Sequence, residues 1–156
     1  MCENIDAIEC MASSANVLRG GFTTKFKDLD TLVAALRYTP QPPRRIFPTP
    51  ERSVQISDPV GPPVSSYVLY NPPVEEFSVA KISLGQKGGR AIFDTTYGPS
   101  IFICIKGSGT LSVNGKVEDV AFGYIFFLSH GAKAIFESSS HEPFVCYRAF
   151  CDVVDA

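Results

Sequence analysis

The run Ser100-Ile101-Phe102-Ile103-Cys104-Ile105-Lys106 is followed by Gly107-Ser108-Gly109, and then by Thr110-Leu111-Ser112-Val113-Asn114-Gly115-Lys116-Val117-Glu118. Nothing in it has a helical period, and β-branched and aromatic residues crowd into short runs separated by glycine. Asn114-Gly115 is the strongest turn signal in the chain, because both residues tolerate the positive φ that a two-residue type I′ hairpin needs. Both faces of 101–105 are apolar, so this strand is expected to lie between two layers. Working outward, further strands are expected at Ser53 to Ile56, Tyr67 to Tyr70, Phe77 to Ser83, Ala91 to Thr95, Gly109 to Val113, Val117 to Val120, Gly123 to Leu128, Ala132 to Glu137 and Phe144 to Cys151. The most economical closure for so many short strands is an antiparallel β-sandwich of jelly-roll type.

One helix is expected ahead of these strands. Asp28 is a suitable N-cap and Asp30 opposes the helix dipole. Leu29, Leu32, Val33 and Leu36 fall at i, i+3, i+4 and i+7, which predicts an amphipathic helix from Leu29 to Tyr38. Thr39-Pro40-Gln41-Pro42-Pro43 stops it, since proline cannot continue the ladder and biases the preceding residue away from helix. The chain therefore divides into a strand and loop over 1–26, a helix and proline-rich crossover over 27–43, and a β domain over 44–156.

The 156 residues are 45% hydrophobic, enough for one sizeable core. Lys+Arg 14 against Asp+Glu 16, a net charge of -2, leaves no excess cation for a phosphate backbone or an anionic bilayer, so neither nucleic acid nor membrane is an expected partner. No apolar run approaches the roughly 20 residues that span a bilayer, and no export signal is visible at the N-terminus. The 5 cysteines are odd in number and form no C-x-x-C pair; they read as reduced, mostly buried thiols of a cytoplasmic protein. His130 and His141 sit in polar turn segments and read as solvated loop residues.

The segment Ile101 to Phe136 resembles the conserved half of a cupin. A strand ends in Lys106-Gly107-Ser108-Gly109, a hairpin turns at Asn114-Gly115, and Gly123-Tyr124-Ile125-Phe126-Phe127-Leu128 leads to Gly131. Metal-binding cupins carry a His-x-His pair, a Glu and a later His. The matching positions here read Phe93-Asp94-Thr95-Thr96, Ser100 and Ala134, so the resemblance implies a structural domain with no metal ligands.

Ile8-Glu9-Cys10-Met11-Ala12-Ser13-Ser14-Ala15-Asn16-Val17-Leu18-Arg19-Gly20-Gly21-Phe22-Thr23-Thr24-Lys25-Phe26-Lys27-Asp28 closely resembles a signature of type I mannose-6-phosphate isomerases. The short helix, proline-rich crossover and cupin-like domain that follow also fit, so the resemblance covers essentially the whole chain. It implies interconversion of mannose 6-phosphate and fructose 6-phosphate, which supplies GDP-mannose. In that reaction a proton moves between C1 and C2 through a cis-enediol, with zinc and a fixed cation stabilising charge on substrate oxygen. By motif, Arg19 is the catalytic arginine and Lys25 a partner for the phosphorylated sugar's phosphate; the planar fork of Arg19 suits an enediolate or phosphate. Without the motif, Arg19 reads as a loop arginine bonding carbonyls and Lys25 as an exposed lysine. Gly20 and Gly21 are expected to let the backbone turn beside Arg19. Asn16 reads as shaping the loop; Glu9 reads either as an active-site wall or as a paired surface carboxylate.

The family's zinc ligands, a Gln-x-His pair, a Glu and a further His, lie upstream of this signature and none is in the chain. Met1 falls just behind the last of them, so a truncated, alternative or isolated product is expected. That product should hold no zinc and be inactive alone. Ala15 replaces the motif's aspartate and Thr24 its proline. Three readings follow: the C-terminal portion of an isomerase, a non-catalytic cupin-like binding or interaction module, or a structural partner of a full-length isomerase.

Overall fold

The computed structural model describes residues 7–13, 17–40, 42, 65–72, 75–85, 87–93 and 98–151. The chain divides into two compact units, one made of Met1–Cys10 with Pro48–Ala156 and the other of Met11–Phe47.

The second unit holds the only helix among the described residues, α1 (Leu29–Ala35). Asp28 caps it as expected, accepting from the Thr31 backbone N–H at 3.0 Å and the Thr31 hydroxyl at 2.7 Å. These bonds, the backbone one first, hold the Asp28 carboxyl below its ordinary range. The helix stops at Ala35 rather than Tyr38, because Leu36 is extended at φ -65, ψ 128 and makes only the closing N–H bond to the Leu32 carbonyl. Seven residues bury no side chain, so no packing extends the helix toward the prolines. The strand expected before it is absent among residues 7–13, which are irregular.

The other unit is the expected antiparallel sandwich. Its strands are β1 (Ser65–Tyr70), β2 (Ser78–Leu84), β3 (Arg90–Phe93), β4 (Ser100–Lys106), β5 (Ser108–Val113), β6 (Lys116–Ala121), β7 (Ile125–Leu128), β8 (Ala134–Ser138) and β9 (Phe144–Phe150). They form a five-stranded sheet in the order β1-β2-β9-β4-β7 and a four-stranded sheet in the order β3-β8-β5-β6. The strands expected at Ser53 to Ile56 and at 94–95 lie outside the described residues.

Period-2 alternation builds the core. Phe102 and Cys104 of β4 and Phe144 and Cys146 of β9 face Leu111 of β5 and Phe136 of β8 across the sandwich. The Phe102 and Phe136 rings meet at 4.9 Å, and Phe93 meets Phe102 edge-on at 5.8 Å. Asn114 (φ 49) and Gly115 (φ 84) make the β5–β6 turn with both φ values positive, as type I′ requires. Two expected strands start too early. Gly123 sits at φ 85 in a turn that the Tyr124 N–H closes onto the Ala121 carbonyl, and the Ala132 N–H closes another onto the Ser129 carbonyl.

The expectation for β4 fails on one side. Phe102 and Cys104 are sealed, but Ile101 is 53% exposed and Ile103 and Ile105 are half-buried, so nothing among the described residues covers the strand's second apolar face.

Gly109 fixes the approach of β5 to β8. A Cβ there would collide with the Glu137 carbonyl oxygen and lie 3.3 Å from Ser138 Cα, which are backbone atoms that cannot swing aside. Gly109→Ala is expected to cost about 2–3 kcal/mol by prising the two strands apart. Chemical denaturation checks this, and a loss under about 0.5 kcal/mol would show that the strands relax freely.

Candidate functional site

Arg19 and Lys25 lie in the irregular segment that leads into α1, within the unit Met11–Phe47. Arg19 is half-buried and makes no ion pair among the described residues; Lys25 is exposed. The Lys25 backbone N–H donates to Thr23 Oγ1 at 3.2 Å, which ties the loop to itself and leaves the ammonium in solvent. Beyond Lys25, the Asp28 cap fixes where the loop ends. The turn beside Arg19 is made differently from expectation. Neither Gly20 nor Gly21 has a positive φ; Phe22 takes φ 48 instead, with its ring fully in solvent. For a bulky residue this backbone is uncommon and strained. Asn16 and Ala15 lie outside the described residues; Glu9, in the other unit, is exposed.

What this loop offers chemically is two cations of different kinds six positions apart. One is a planar guanidinium partly sheltered from water, and the other a mobile ammonium fully in it. The first suits charge developing at a fixed oxygen, the second a phosphate at the rim.

The β unit holds a cation that sequence reasoning missed. Arg148 of β9 is only 8% exposed, and its Nε and Nη2 donate to Ser100 Oγ at 3.0 and 2.8 Å. Its guanidinium carbon lies 4.1 Å from the centroid of the Phe150 ring, 5.2 Å from Phe93 and 5.7 Å from Phe102. Ser100 stands near the cupin glutamate position, and Phe93, at the head of the cupin metal-motif stretch, pairs with Ala134, where the last cupin histidine would be. Arg148 thus bonds Ser100 and lies against Phe93, two positions that the cupin resemblance sets at the metal-ligand stretch. The signal was in the sequence: Phe144, Cys146, Arg148 and Phe150 alternate on one face of β9, so Arg148 had to point inward with them.

These residues do not fit a divalent ion. A guanidinium repels one, a serine hydroxyl is a weak ligand, and both histidines are exposed in turns away from the strands. Cys104 and Cys146 are register partners, free and buried, and burial pushes both thiols up, away from the thiolate a metal or an electrophile needs. An open pocket of about 360 Å³ is lined by Leu111, Val113, Phe126 and Leu128 together with Asn114, Lys116 and Glu118.

Residues 68–116 match the family model for the phosphomannose isomerase type I C-terminal region. The chain is 47% identical to mannose-6-phosphate isomerase of Aspergillus fumigatus over 95% of its own length and 33% of that protein's, and 38% identical to the Saccharomyces cerevisiae enzyme over 94% and 33%. It thus spans about a third of the length of the curated relatives it matches. In fold, it resembles the plu4264 protein of Photorhabdus luminescens (TM-score 0.52, 15% identity, covering 57% of this chain and 76% of that one) and the Cnp3 cupin domain of Schizosaccharomyces pombe (TM-score 0.51, 11% identity, 56% and 64%). Both likenesses concern the cupin fold alone. No helix among the described residues is long and apolar enough to cross a membrane. On sequence along nearly its whole length, the chain is a counterpart of the C-terminal portion of the type I phosphomannose isomerases.

Proposed function

We propose that this chain is the C-terminal portion of a mannose-6-phosphate isomerase that interconverts mannose 6-phosphate and fructose 6-phosphate, with Arg19 contacting the reacting part of the sugar. The observation that carries this reading is the 47% identity over 95% of the chain, a match long enough to run through the Arg19 loop. Arg19 holds a permanent positive charge beside the substrate oxygen on which charge develops as a proton leaves C2 or C1, and so lowers the barrier to the enediol. Lys25 receives the phosphate. The β unit contributes fold rather than chemistry, with Arg148 standing in its interior as a fixed cation.

The zinc of the family's reaction would be held by residues other than these 156. The isolated 156-residue chain is therefore expected to bind no stoichiometric zinc and to leave mannose 6-phosphate unchanged. Metal analysis combined with a coupled assay for fructose 6-phosphate checks this. Stoichiometric zinc, with turnover lost on adding a chelator, would overturn it.

One observation favours a second reading, a non-catalytic module derived from the family. Ala15 stands where the signature has aspartate, and a methyl group can neither hold nor orient a proton. Restoring the carboxylate by Ala15→Asp in a longer, zinc-bearing form separates the two. An isomerase tuned to alanine changes little, while an inactive module gains turnover.

A further inference from the structure

The five-stranded sheet presents two apolar rows on its outer side. Register pairs Phe127 with Ile101, Ile101 with Ala149, and Ala149 with Val79; one rung along, Ile125 pairs with Ile103, Ile103 with Tyr147, and Tyr147 with Lys81. Paired residues in a sheet share a face, so these side chains form one surface across β7, β4, β9 and β2, with Lys81 its only charge. Ile125 is 65% and Phe127 67% exposed. A strand apolar on both faces is the pattern of one covered on both faces, and β4 has cover on one. β7 is moreover an edge strand, and apolar exposure there invites association.

We propose that this outer face, centred on Ile101, Ile103, Ile125 and Phe127, is a docking surface for the part of a mannose-6-phosphate isomerase that precedes this region in the curated relatives. The inference rests on the family reading above. Two observations select that occupant over a second copy of the chain. The matched relatives carry this region as only 33% of their length, so two-thirds of the protein is available as cover. The other unit also leaves an apolar face open, with Leu29, Val33 and Leu36 of α1 and its cap exposed and nothing of the helix buried. The longer protein has chain enough to cover both faces.

The test uses the full chain alone and the same chain preceded by the unmatched two-thirds of the Aspergillus fumigatus relative. Ile125→Cys, Phe127→Cys and, as a control on the four-stranded sheet, Val117→Cys are each reacted with a maleimide, and adducts are followed site by site by mass spectrometry. In the chain alone, all three positions should react at similar rates. In the longer protein, positions 125 and 127 should react at least tenfold more slowly and position 117 unchanged, with Cys104 and Cys146 unmodified throughout as proof that the sandwich is folded. Equal rates in both proteins would overturn the proposal, as would protection in the chain alone that grows with its concentration, which would assign the face to a second copy. Independently of labelling, Phe127→Lys should lower the melting temperature of the longer protein and leave that of the chain alone unchanged; equal shifts would also overturn it. Isomerase activity separates the two readings. An active longer protein with unprotected probes defeats the docking surface alone, and an inactive one with protected probes defeats the enzyme reading alone.

Discussion

Replacing Arg148 with alanine is expected to destabilise the β unit by about 3–4 kcal/mol. The side chain is nearly sealed between the sheets, and truncating it leaves a cavity beside Phe93, Phe102 and Phe150 while removing three cation–π contacts worth about 0.5–2 kcal/mol each. It also strips Ser100 Oγ of both its donors. Burying a guanidinium is itself costly, so an apolar side chain of similar reach should do much better than alanine. Arg148→Met, which keeps the stem against the rings, is expected to fall within about 1 kcal/mol of the natural chain. Denaturant titration of the two variants decides what Arg148 does. If methionine is as damaging as alanine, the charge holds the core together. If both are mild, the guanidinium is merely tolerated.

The residues that made the fold legible are those whose local chemistry admits one solution. Ser100–Lys106 is a strand with the limits its composition gave, because Gly107 at φ 77 ends it and a Cβ there would sit 2.7 Å from the Pro143 carbonyl oxygen. Asn114-Gly115 turns where its two positive φ values require. The errors share a different cause. Tyr124 is as β-prone as its neighbours, but the Gly123 N–H is taken by the Cys104 carbonyl, a contact from another strand that no local pattern contains. Leu36 has the spacing of a helical residue, yet helical spacing holds a short helix only where its apolar face is packed.

The same limit governs the site. Arg19 is a candidate only through its neighbours in sequence, and nothing in its own burial or hydrogen bonding singles it out. Arg148 has the more distinctive surroundings and was passed over, because one arginine in an apolar strand announces itself only once the alternation is read as a statement about which side is inside. The uncovered face of β4 reverses the lesson. Composition pointed to a layer on each side of Ile101 to Ile105, and among the described residues only the side of Phe102 and Cys104 is covered.

Arg19→Ala, made in the longer protein that restores the region preceding this chain in its relatives, is expected to lower kcat by about 10²–10³-fold, the range found when one fixed donor to a developing oxyanion is removed. Stability should change by less than about 1 kcal/mol, because a half-buried loop arginine with no ion pair among the described residues has little packing to lose. KM should rise less than kcat falls, since a contact that strengthens as charge develops contributes more to the transition state than to the bound sugar. Lys25→Ala is the internal contrast. A lysine that only receives the phosphate binds substrate and transition state alike, so its loss should raise KM and leave kcat nearly unchanged. Arg19→Lys keeps the charge but not the planar fork, and should recover part of the lost kcat if charge is the main contribution and almost none if the paired donors are. Steady-state kinetics of the three variants, with melting temperatures alongside, checks the assignment. Should Arg19→Ala turn over normally, or lose activity only in step with stability, the arginine shapes the loop and the reacting oxygen is stabilised elsewhere.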